Sequence, residues 1–236
     1  MATETKTTMT REERMATQPI GRLMVSMTLP AILAQIINIL YSIIDRIYIG
    51  HMEGVGANAL TGVGVTFCIT VFISAFSAFI SNGAAPLSAI WLGKGDREHA
   101  EKILGNSVSF LLICTVFLMA FFYAFQRPLL YMFGASDATI GYAMDYLSIY
   151  LLGTLFVELA LGLNAFIICQ SQPRIAMFSV LIGAVANIVL DPVFIFGLHL
   201  GVKGAAIATV ISQGLSAAWV MSFLLGKKTS LKIRRS

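Results

Sequence analysis

Charge is scarce in this sequence. Of its 236 residues only 12% are Asp, Glu, Lys or Arg, while 57% are hydrophobic. A soluble domain is nearer a quarter charged. So small a supply cannot cover the water-facing surface of a chain this long, and lipid must solvate much of it. Cysteine is nearly absent too. Cys68, Cys114 and Cys169 each stand in an apolar run with no CxxC or Cys/His spacing. They read as buried small hydrophobes, which excludes a disulfide framework or a zinc site.

Catalytic motifs are also missing. There is no P-loop, HExxH or GxSxG. Gly93-Lys94-Gly95-Asp96 matches the GxGD of intramembrane aspartyl proteases, but it lies in a charged loop and not in a membrane helix. His51-Met52-Glu53 has no downstream PCxxC to complete a deaminase zinc site. The reading is a non-enzyme without a cofactor. The net charge of +4 gathers at the ends of apolar segments, which suits anionic lipid headgroups and not nucleic acid.

What is present is long apolar runs. A spanning helix needs about 20 mostly apolar residues. Six candidates fall at 23–49, 60–87, 103–125, 138–168, 175–198 and 204–226. The breaks between them are 50–58, 93–102, 126–128 with 134–137, 170–174 and 199–203. Residues 1–19 form a polar N-terminus without the short apolar core and cleavage site of a signal peptide, 20–226 the membrane unit, and 227–236 a basic tail. The fold class is therefore an all-α integral membrane bundle. Thirteen of the sixteen basic residues fall on one side if both termini are cytoplasmic, leaving Arg46, Arg127 and Lys203 opposite.

Polar side chains within the spans need a partner, a cavity or a function, because an ionisable group at membrane depth costs about 2.5–3.5 kcal/mol. On the first helix Gln35, Asn38, Tyr41, Ser42 and Asp45 share about a third of the circumference at 100° per residue. Pro30, before that stripe, removes a backbone hydrogen bond and predicts a kink. Asn187 and Asp191 lie on one face of the fifth helix, with Pro192 next to them. Thr209, Gln213 and Ser216 lie on one face of the sixth. Carboxylates, an amide and a hydroxyl of this kind suit a small hard cation or a proton. Plainer readings stand beside this one. Asp45, beside Arg46, reads equally as an interfacial charge, Asn187 and Asp191 as interhelical glue, and the sixth-helix stripe as packing. Glu158, about 120° from Asn164 on the fourth helix, is either a cavity residue or a buried acid. Gly62-Val63-Gly64 reads as close helix packing.

The stripes sit within longer stretches that resemble the multidrug and toxic compound extrusion family from about Gln18 onward. "ILYSIIDRIYIGHMEGVGANALTGVG", "WLGKGDREHAEK" and, most specifically, "NIVLDPVFIFGLHLGVKGAAIATVISQ" carry the resemblance. It implies one six-helix lobe of a twelve-helix carrier in the cytoplasmic membrane, exchanging H⁺ or Na⁺ for amphipathic, often cationic, drugs. It further implies a cation or proton site at Asp45, Asn187, Asp191 and Thr209, and a drug cavity lined by Asn38, Tyr41, Asn164 and Gln213, to which Glu158 is added as a cavity residue. Pro30 matches the bend of the first helix, and a second lobe or a second copy is the expected partner. Where that family has Phe-Ile-Arg and a glycine slightly later, this chain has Phe166-Ile167-Ile168 and Ser171. Two competitors are a lipid-linked oligosaccharide flippase, whose cavities are richer in arginine, and a non-transporting half-transporter.

The orientation is tested by replacing the three cysteines with serine and adding Glu53→Cys or Lys94→Cys. An impermeant maleimide should label the first in intact cells and the second only after permeabilisation; the opposite pattern would invert the topology.

Overall fold

A backbone in lipid must pair its hydrogen bonds within itself. The computed structural model describes residues 19–226, 229 and 231–233, apart from the side chains of 22 and 23, and over them the chain is helical with short turns. The polar N-terminus and Lys227, Lys228, Arg234 and Arg235 of the basic tail lie outside the described residues. The helices are α1 (Ile20–Gly50), α2 (Gly56–Phe79), α3 (Ala85–Gly93), α4 (Arg97–Met132), α5 (Ile140–Leu152), α6 (Thr154–Cys169), α7 (Pro173–Pro192) and α8 (Val202–Leu224). A π-helical turn, Ile80–Ala84, joins α2 to α3 in one rod, and a second, Val193–Gly197, extends α7.

Five of these units are long and apolar enough to cross a membrane, and α5 with α6 makes a sixth, bent by 59°. The six-span reading therefore holds, with two corrections to its detail. The expected break at Gln126-Arg127-Pro128 is helix, because α4 runs on to Met132. Gln126 is buried there and its Oε1 accepts a hydrogen bond from Ser148 on α5 at 3.0 Å, so its polarity marks an interhelical contact and not a loop. The expected single span 138–168 is two helices meeting at Gly153. A Cβ at Gly153 would lie 2.7 Å from Cγ1 of Val210, so α8 presses into the elbow where only glycine fits.

Packing follows two apolar clusters stacked along the bundle. One holds Ile69, Leu118, Phe122, Leu147 and Ile195. The other, at the end carrying Lys94, Arg97 and Arg174, holds Leu104, Leu163, Phe166, Val220 and Leu224. Outward side chains such as Ile113, Val116 and Phe117 are about 70% exposed, a surface that lipid covers at no cost. α1 packs mainly along α7, and Pro30 lies within its unbroken helix. At the basic end Asp96 caps α4 by accepting the His99 backbone N–H at 3.1 Å, which holds this exposed carboxyl below the usual carboxylate range. The segment after α8 folds back over the same end. Thr229 Oγ1 and the Leu231 backbone N–H both donate to Gln170 Oε1, at 2.7 and 3.3 Å, and the Lys232 N–H donates to Glu101. Leu231 is fully buried in the cluster beneath.

Two stability tests follow from backbone geometry. A Cβ at Gly62 would meet the Thr139 carbonyl oxygen at 2.8 Å and Tyr142 Cβ at 2.9 Å, whereas nothing lies within 4 Å of one at Gly64. Gly62→Ala should therefore cost about 1–3 kcal/mol by overpacking, and Gly64→Ala should be neutral or mildly stabilising, measured as thermal unfolding in detergent. Ser171, in the turn between α6 and α7, has φ of 59°, the left-handed region that favours glycine. Ser171→Gly should gain about 1 kcal/mol in the same assay.

Candidate functional site: a carboxylate pair beside an aromatic cavity

The polar face of α1 turns toward α7 and α8. The Asp45 carboxyl comes within hydrogen-bonding reach of the Asp191 carboxyl. Asn187, one turn from Asp191 on α7, donates through Nδ2 to Asp191 Oδ1 at 3.2 Å and to Thr209 Oγ1 on α8 at 3.5 Å. Asp191 and Asn187 are essentially inaccessible, at 0% and 1% exposure. The four side chains named as a cation site thus converge from three helices on one point. Asp45 Oδ1, Asp191 Oδ2 and Asn187 Oδ1 are buried there and have no hydrogen-bond partner among the described residues. Two carboxylates this close repel unless a positive charge sits between them, and the free oxygens are the donor type that a proton or an alkali cation takes. A transition metal has less to hold it, since no three of His, Cys, Asp and Glu gather among the described residues.

The pair stands beside a cavity of about 480 Å³ lined by Asp45, Arg46, Tyr41, Phe67, Tyr146 and Tyr150. A second, narrow void of about 40 Å³ is lined by Asn164, Asn187, Ser212 and Ser216. Asn38, Tyr41, Leu161, Thr209 and Gln213 line both, so the two spaces meet at these five side chains. Tyr41 lies within hydrogen-bonding reach of Gln213. Asn164 is held by Ser179, which donates to its Oδ1 at 3.2 Å, while its Nδ2 donates to the Ala176 carbonyl at 3.3 Å. A further groove of about 210 Å³ runs toward the basic end past Asn38, Asn164 and Pro30.

Glu158 is placed elsewhere. It is fully buried on the side of α6 that meets α2, where Ser77 Oγ lies 3.5 Å from its backbone carbonyl. It lines neither space around the aspartates. Neither carboxyl oxygen makes a close hydrogen bond among the described residues, although the Ser77 side chain lies beside the group. Tyr146 and Tyr150 are the residues that the stripe argument missed. They stack at 6.1 Å between ring centroids on α5, with Tyr146 in reach of Thr209 and Tyr150 of Ser74. The signal was present as Tyr142, Tyr146 and Tyr150 at four-residue spacing, one face of a helix.

The MatE family model matches residues 30–193, most of the chain, including three of the four converging side chains. The chain belongs to the MatE family. Among curated relatives this MatE chain is 27% identical over 212 residues to the multidrug export protein MepA of Staphylococcus haemolyticus, covering 90% of itself and 46% of that protein. It is also 27% identical over 198 residues to an FAD transporter of Shewanella oneidensis, covering 82% of itself and 43% of the relative. Its fold superposes on a crystal structure of MATE in the bent conformation with a TM-score of 0.86 at 26% identity, covering 95% of this chain and 50% of that one. A MOP superfamily transporter from Pyrococcus furiosus, described as having a binding pocket of reverse polarity, matches with a TM-score of 0.87 at 26% identity. The chain spans about half the length of the curated relatives it matches. The six spans described here correspond to one lobe of those transporters.

Proposed function

We propose that the chain is the ion-coupled lobe of a multidrug efflux antiporter in the cytoplasmic membrane, with both termini inside. The observation that carries this reading is the convergence of Asp45, Asn187, Asp191 and Thr209 beside a cavity that they share through Tyr41 and Gln213. A proton or Na⁺ entering between the two carboxyl groups cancels their repulsion and draws α1 toward α7. Because Asn38, Tyr41 and Asp45 ride on the same helix, that movement changes the shape of the cavity in which the drug is held. Coupling then comes from a difference in drug affinity between the two positions of α1. A mostly apolar, aromatic wall with few polar anchors suits varied amphipathic molecules.

Alternating access needs a second body to rock against. The partner in this reading is a second six-helix lobe, supplied by the same polypeptide or by another copy. The kinship to drug exporters favours drugs as cargo.

Ethidium efflux driven by a proton or Na⁺ gradient, in vesicles holding the assembled two-lobe transporter, tests the proposal. Asp45→Asn and Asp191→Asn should each lower it by more than about tenfold at equal expression, the scale of losing one partner of a buried charged site. Wild-type efflux by both variants would sink the ion-site assignment.

A further inference from the structure

Among the described residues Arg46 is the only basic side chain lining the large cavity. Its neighbour Asp45 reaches toward Asp191 and feels the Arg46 charge through space without forming an ion pair with it. Among the described residues no carboxylate lies within ion-pair distance of Arg46, whereas Lys203, on the same end of the bundle, is engaged with Asp145 at 3.4 Å. The Arg46 guanidinium instead stands 5.8 Å from the centroid of the Phe67 ring on α2. An arginine laid on an aromatic face is oriented and keeps its hydrogen-bonding edge free. The rings of Tyr41, Tyr146 and Tyr150 line the same cavity. The cavity wall therefore carries a carboxyl group of the acidic pair, the Arg46 guanidinium and aromatic stacking surface.

We propose that Arg46 and the surrounding rings form an anion subsite, so that the cavity accepts aromatic molecules bearing a carboxylate, sulfonate or phosphate. This rests on the reading of the cavity as the transport site and narrows its substrate class. The planar guanidinium pairs with the anionic group through two parallel N–H donors while the aromatic body lies against the tyrosines. A molecule bearing only positive charge gains nothing from this subsite and meets repulsion at Arg46. A zwitterion can satisfy both poles, which a cavity lined by acids alone cannot offer.

Two xanthene dyes of opposite charge, 5-carboxyfluorescein and rhodamine 123, separate the possibilities. The full chain is placed in phosphatidylcholine nanodiscs, and binding is read by fluorescence anisotropy. Arg46→Gln should weaken carboxyfluorescein by about tenfold or more, the loss of a charge-assisted hydrogen-bonded pair, and leave rhodamine 123 unchanged or tighter. Arg46→Lys should restore most of the anion's affinity, and retained rhodamine binding certifies that each variant is folded. Carboxyfluorescein binding that ignores Arg46→Gln overturns the subsite. Rhodamine binding without carboxyfluorescein binding overturns it too, as does failure of both dyes on the wild-type chain, while the efflux reading stands or falls on its own test in the two-lobe transporter. If phosphatidylglycerol added to the nanodiscs abolishes the Arg46-dependent signal, Arg46 is a lipid headgroup anchor and the proposal falls.

Discussion

Two carboxyl groups facing one another inside a bundle bathed by lipid is an arrangement that the surrounding structure must continuously support. Neither acid can be left alone there, since one ionised group at that depth costs several kcal/mol. Asn187 and Thr209 give the Asp191 side chain its polar neighbours, and Tyr146 lies beside Thr209. To deliver these groups, α7 and α8 must lie very close. They do so through a small-residue seam at Gly183 and Ser216, where the Ser216 hydroxyl donates to the Ser179 carbonyl at 2.8 Å. α1 must then lie along α7 for Asp45 to reach Asp191. Much of the bundle's geometry follows from holding these two acids in register.

The cavity is a consequence of the same demand. α1 leans on α7 and makes only limited contact with α2. A space therefore opens between α1, α2, α5, α6 and α8, lined in part by tyrosines, Phe67 and Arg46. Asp45 of the carboxyl pair and the tyrosine rings of α5 line one cavity, which Tyr41 and Gln213 join to the narrower void. A charge change at the carboxyl pair is thus felt within one side-chain length of whatever fills the cavity.

Most of this was legible in the sequence wherever a contact obeys a period along one helix. The stripes at Asn38, Tyr41 and Asp45, at Asn187 and Asp191, and at Thr209 and Gln213 needed only 100° per residue to be seen. What stayed hidden depends on partners distant in the chain. Gln126 looked like a loop residue because Ser148, which satisfies its amide, lies on the next helix. Gly153 looked like any membrane glycine until Val210 filled the space beside it. Glu158 could be placed on α6, but which neighbouring helix it would face is a property of packing that no local pattern contains. Ser171 is the reverse case: the tight turn after α6 was readable, and the strain of a serine in a glycine conformation shows only in the folded backbone.

The lengths of the helices have a consequence for where the protein can live. The rod Gly56–Gly93 has 38 residues and α4 has 36, or about 57 and 54 Å at 1.5 Å per residue, against a hydrocarbon layer of about 30 Å. These two can slide along the membrane normal and trade one turn of apolar surface for another as bilayer thickness changes. The elbowed span cannot. Its halves, of 13 and 16 residues, are about 20 and 24 Å long, so neither crosses alone and their junction at Gly153 has to remain at depth. Membrane thickness should therefore act on this lobe unevenly, leaving the long rods indifferent and loading the α5–α6 elbow, the one span that also carries Tyr146 and Tyr150 into the cavity.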